Sequence, residues 1–222
     1  MQQNAKQYYV RLITLIAALG GFLFGLDMAV VSGIIEPVKL QYQLNSSQEG
    51  FFVSCALLGC IAGVAFSGYL SDRIGRKKVL FISAILFVVS AVGFSLAKDY
   101  GLLIFFRLLA GAGVGVASNI SPLYISEVAP AKSRGGLVVF YQLAITIGIL
   151  VAYISNLLLQ KNAAGNSGGE GIMHWLFVEQ VWRGMFLVGV IPALLFSVLL
   201  VIVPESPRWL ALFGQNEKAL NI

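Results

Sequence analysis

Six apolar runs set the pattern of the chain: residues 11–35, 51–70, 79–97, 101–123, 137–159 and 185–203. A hydrocarbon layer about 30 Å thick is crossed by roughly 20 helical residues at 1.5 Å each. Each run is therefore predicted to be a membrane-spanning helix, and the fold an all-α six-helix bundle. The polar breaks between the runs set its direction. Gly68–Lys78, GYLSDRIGRKK, has four Arg or Lys among eleven residues, and short loops rich in these residues stay on the cytoplasmic side. With this loop inside, the same side carries Lys6, Arg11, Arg73, Arg76, Lys77, Lys78, Lys132, Arg134, Arg208 and Lys218, against Lys39, Lys98, Lys161 and Arg183 on the other. Both termini are predicted to be cytoplasmic.

Composition agrees with this reading. The 222 residues are 58% hydrophobic and 11% charged, with a mean hydropathy of +0.86, far from the roughly 25% charged content of soluble domains. The net charge of +5 comes from basic loops and does not mark a nucleic-acid surface. Cys55 and Cys60 fall five positions apart in one span, on different faces, and are predicted to be small core residues rather than a disulfide or metal pair. The first apolar run is too long for a signal peptide and lacks a small-residue cleavage site, so it stays as a span. Asn45-Ser46-Ser47 is a glycosylation pattern only formally. No nucleophile with its base, metal cluster or phosphate loop points to an enzyme.

Within the spans a few residues break the apolar rule. Asp27 lies about 12 Å below the outer end of the first span, and Arg107 about 9 Å below the outer end of the fourth. A lone charge in hydrocarbon is costly, so the two are expected to pair across a cavity. That pair can be structural. A carboxylate whose arginine partner and access to water can both change is also suited to carry a proton. Gln142 stands mid-span in the fifth run, either bonding a neighbouring helix or facing a ligand. Gly20, Gly21, Gly25 and Gly33, then Gly59 and Gly63, then Gly111, Gly113 and Gly115, predict close helix crossings. The third span reads as featureless lipid-compatible sequence. Gln160–Val181 reads as a flexible polar loop, with His174 exposed in it and no metal site.

Several motifs point further. In the basic loop Gly68, Asp72, Arg73, Gly75 and Arg76 recur at fixed offsets that a mere charge cluster does not require. This pattern resembles the signature between spans two and three of the major facilitator superfamily. Pro122, Tyr124, Glu127, Pro130, Arg134 and Gly135, spaced PxYxxExxPxxxRG, resemble the sugar porter family within it. Gly21–Asp27 with Gly33, Trp182-Arg183, and the run Pro204–Leu210, PESPRWL, carry the same resemblance. Leu26 departs from it, standing where Tyr is usual. The whole chain is covered, and within the family it resembles the bacterial proton-coupled sugar symporters of the xylose-transporter type.

The resemblance implies a 3+3 inverted repeat and a six-helix domain over residues 1–210. Residues 211–222 would begin a cytoplasmic linker to a missing C-terminal six-helix half. It implies alternating-access transport of a monosaccharide across the cell membrane, with the proton as coupling ion and no cofactor. Asp27 and Arg107 would couple the proton, and Phe24 and Gln142 would contact sugar. Asp72, Arg73, Arg76, Glu127, Arg134, Glu205 and Arg208 would form a cytoplasmic gating network. A passive uniporter and a non-transporting sensor or half protein are the alternatives.

Overall fold

The computed structural model describes residues 2–165 and 171–220. Its long helices are α1 (Gln2–Tyr42), α2 (Ser46–Ile74), α3 (Arg76–Leu96), α4 (Tyr100–Val128) and α5 (Arg134–Gly165). A turn of helix, α6 (Ile172–His174), runs into a π-helical turn, Trp175–Glu179, and then into α7 (Val181–Val188) and α8 (Val190–Ile202), which together make the sixth span. Two short helices, α9 (Pro207–Leu212) and α10 (Asn216–Leu220), follow. All six predicted spans form. The end holding the Gly68–Lys78 loop is called the basic end below, and the opposite one the far end.

Local chemistry places the breaks. Asn45 and Gln48 form a reciprocal capping box that starts α2, supplying acceptors for amides the helix cannot satisfy itself. Asp99 starts α4 by accepting from the Leu102 amide at 2.9 Å. Gly75 separates α2 from α3 at φ 99°, a conformation open to glycine because it has no Cβ. Within the sixth span, Pro192 has no N–H to offer the Val188 carbonyl, and the helix breaks between Val188 and Val190.

Glycine seams hold the bundle. α2 lies along α4 and α1 along α5. In the first seam a Cβ on Gly59 or Gly63 would strike the backbone of Leu108 or Ala112, and one on Gly111 or Gly115 that of Ala56 or Cys60. In the second, Gly21 and Gly25 meet the Tyr141 and Ile145 carbonyls, while Gly148 meets that of Phe22. Exchanging spans one to three with spans four to six maps one seam onto the other, which is the packing expected of an inverted repeat. α1 is the central helix, touching α4, α5, α7 and α8.

Three expectations are corrected. α3 is not plain lipid-facing sequence: Ser83, Ser90 and Ser95 are buried, each hydroxyl satisfied by the carbonyl three residues back, so the helix packs against α4 and the sixth span. The segment Gln160–Val181 is not loop throughout, since α5 reaches Gly165 and residues 172–179 are helical; Gly168 and Gly169 lie outside the described residues. His174 is half-buried rather than exposed, with Nδ1 3.5 Å from Glu179 Oε1.

Because both faces of each seam are backbone, no rotamer can relieve a new side chain there. Gly111→Val is expected to destabilise the detergent-extracted protein by about 1–3 kcal/mol or more, whereas Gly135→Ala, with open space around it, should leave thermal unfolding within about 0.5 kcal/mol of the parent.

Candidate functional site

Two polar centres interrupt the apolar core. In the first, α1 packs directly on α4, with Gly20 close against Ala117 and Ser121, and Arg107 Nη1 donates to both Asp27 carboxylate oxygens, at 3.0 and 2.9 Å. The side chains are 2% and 7% exposed. Arg107 Nε is buried without a hydrogen-bond partner among the described residues, so the guanidinium is held through one nitrogen and not through a saturated fork. Phe186 of α7 lies beside it, the Arg107 Cζ being 5.7 Å from the ring centroid.

The second centre closes the basic end. Arg76 opens α3 and is 5% exposed. Its guanidinium donates to Glu127 at 3.1 and 3.3 Å and to the Ser71 carbonyl at 3.0 Å; Asp72 Oδ1 stands 3.0 Å from Nη2. Ser206 Oγ also donates to Glu127. Glu205 Oε1 accepts from the Arg76, Lys77 and Ser206 amides at 2.9, 3.1 and 2.9 Å, a carboxylate seated on the unpaired N–H groups and positive dipole end of α3. A Cβ on Gly75 would occupy the space of this carboxylate. Tyr124 Oη donates to the Pro204 carbonyl and Lys77 Nζ to that of Val201, both at 2.8 Å, which ties the end of the sixth span to α3 and α4.

The structure does not bring every expected gating residue together. Asp72, Arg76, Glu127 and Glu205 meet. Arg73 turns away, its guanidinium 4.3 Å from the centre of the Tyr69 ring. Arg134 and Arg208 are exposed and join no ion pair among the described residues. Phe24 is half-buried against the main core cluster. Gln142 is exposed on α5, its side chain making no bond to a neighbouring helix among the described residues, and Thr146 is exposed one turn away. Ser206 and Tyr124 complete the second centre without having been singled out for it, and Arg183, counted as a loop charge, is 5% exposed. The signal for Arg183 was its pairing with Trp182 in a motif that carries the family resemblance.

A six-span membrane bundle with inverted-repeat seams, an ion pair buried between its spans and a polar strip on an open helix face is the half-unit architecture of a secondary carrier. Residues 13–222 match the family model described as sugar (and other) transporter. The chain belongs to this sugar transporter family of the major facilitator superfamily. It is 44% identical over 221 residues to the glucose transport protein of Synechocystis, covering 100% of this chain and 46% of that one. To the arabinose-proton symporter of Bacillus subtilis it is 42% identical, covering 96% and 44%, and to the D-xylose-proton symporter of Escherichia coli K12 also 42%, covering 100% and 49%. Among solved structures, the proton:xylose symporter XylE bound to 6-bromo-6-deoxy-D-glucose superposes with a TM-score of 0.86 at 41% identity, over 96% of this chain and 49% of that one. The chain thus spans about half the length of the curated relatives it matches.

Removing one member of a buried pair strands the other charge. Arg76→Ala is expected to cost about 3–5 kcal/mol by leaving Glu127 alone, whereas Asp72→Ala removes an exposed partner and should cost under about 1 kcal/mol. Denaturant unfolding in mixed micelles measures both.

Proposed function

We propose that the chain is the N-terminal half of a twelve-span sugar:proton symporter that works by alternating access in the inner or plasma membrane. Its basic end, with both ends of the chain, lies in the cytoplasm. Residues from 211 onward begin the linker to a second six-helix half, and sugar binds between the halves. The observation that carries this reading is the Asp27–Arg107 pair, held within hydrocarbon depth and joined through a single guanidinium nitrogen. The names of the arabinose and D-xylose relatives, both proton symporters, support it.

The mechanism follows from what each group can do. While the pair is closed, each charge neutralises the other in a medium that solvates neither. When the bundle shifts and Arg107 moves off, a carboxylate in a dry site takes a proton rather than stand charged alone. Transport is coupled if that exchange is required for the sugar-loaded bundle to turn over. Gln142, with donor and acceptor atoms on an open face of α5, and Phe24, an apolar surface for a pyranose ring, supply this half's contacts to sugar.

At the basic end Asp72, Arg76, Glu127 and Glu205 hold the second, third, fourth and sixth spans together, so that the half turns as one body. Arg73, Arg134 and Arg208 present exposed charge to the second half and complete the latch of the outward-facing state. α2 and α5, whose outer faces carry rows of exposed apolar side chains, give that half its seat.

Asp27→Asn in the full-length protein, reconstituted in liposomes, is expected to abolish sugar-driven proton uptake while sugar exchange down its own gradient continues. Proton uptake at the parental rate would instead assign the chain to a carrier in which the pair is structural.

A further inference from the structure

Arg183 is the most fully engaged side chain at the far end. Its Nη1 donates to the Ser95 and Ala97 carbonyls, each at 2.7 Å, closing the end of α3, whose last carbonyls have no helical partner of their own. Nε reaches Gln180 Oε1 at 3.4 Å and Nη2 reaches Tyr42 Oη at 3.4 Å. The Trp182 and Trp175 rings flank the guanidinium at 4.3 and 5.1 Å. The first turn of the sixth span is therefore fixed to the ends of α1 and α3.

One turn on, that anchor sets Phe186. Its ring stacks on Phe94 at 3.9 Å and stands near Arg107, inside the roughly 6 Å range in which a ring face attracts a cation. The same ring bounds a recess between α1, α3 and the sixth span, lined also by Asp27, Ser90, Ala91 and Gly189. About 20 Å³ of it admits the centre of a water-sized sphere, enough for one water. Asp27 and Ser90 are the polar residues that line it, and a water site needs at least two polar partners. Arg107 approaches Asp27 from α4, and neither Phe24 nor Gln142 lines this recess.

We propose that this recess is a water site through which Asp27 exchanges its proton, that Phe186 is its gate, and that Arg183 is the positioning residue that keeps the gate closed. The inference rests on the reading of Asp27 as the proton carrier. A hydronium in the recess gives its proton to a carboxylate oxygen of Asp27 and remains as neutral water. As the pair with Arg107 then weakens, the Phe186 ring stays beside the guanidinium. Neither Phe24 nor Gln142 lines the recess, so proton and sugar reach the same carrier by separate routes.

The test uses the full-length protein in liposomes with a pH-sensitive dye inside and a pH gradient across the bilayer. Phe186→Ala is expected to leak protons without sugar several-fold faster than the parent, and Arg183→Lys, which keeps the charge but loses the contacts to Gln180 and Tyr42 and the planar face between the Trp175 and Trp182 rings, to leak to a lesser degree. Ala91→Val narrows the recess and is expected to slow sugar-driven proton uptake several-fold, giving an independent reading should the Phe186→Ala protein not fold. A tight Phe186→Ala protein, or an Ala91→Val protein with parental proton uptake, overturns the gate while Asp27→Asn still uncouples. Coupling that survives Asp27→Asn overturns the underlying reading instead.

Discussion

A carboxylate and a guanidinium inside hydrocarbon must find each other or pay heavily in lost hydration, and the bundle is arranged around that requirement. Asp27 is on the central helix and Arg107 on α4, so the pair forms only if these helices hold one register. α1 lies directly on α4, Gly20 against Ala117 and Ser121, while the glycine seams hold α1 to α5 and α4 to α2 backbone against backbone. The pair itself is under-bonded, with Arg107 Nε lacking a partner among the described residues. A purely structural pair gains from saturating every donor; one that must open gains from leaving some unused.

The two ends of the bundle answer each other through the inverted repeat. Arg76 stands in the first turn of the third span and Arg183 in that of the sixth, and both are buried. Arg76 caps the end of α2 and meets Glu127 at the end of α4. Arg183 caps the end of α3 and meets Tyr42 at the end of α1. Glu205, just past the sixth span, reaches the start of the third, as the Ala97 carbonyl, just past the third, receives Arg183. One end uses carboxylates and the other carbonyls and aromatic faces, so the basic end is sensitive to charge and the far end is held by geometry.

Much of this was legible in the sequence because hydrocarbon punishes exceptions. Asp27 and Arg107 stood out as lone charges, and counting residues along two antiparallel helices put them at one depth. Glycine spacing announced the seams. What hydropathy misses is helix that continues past the apolar layer: the first run reads as 11–35, but α1 extends from Gln2 to Tyr42. Arg183 was hidden by its position at the edge of an apolar run, where a buried arginine and a loop arginine look alike. The α3 serines satisfy themselves within their own helix, so their burial leaves no polar pattern to read. Motif spacing grouped Arg134 and Arg208 with the gating network, but it records which residues recur and not which of them meet within one half.

Infrared difference spectroscopy of the full-length protein in lipid, before and after sugar is added, tests the carrier role of Asp27 most directly. The account predicts that sugar raises a C=O absorption of a protonated carboxylic acid and that Asp27→Asn removes this band. Sugar binding with no such band, or a band that survives Asp27→Asn, would contradict it.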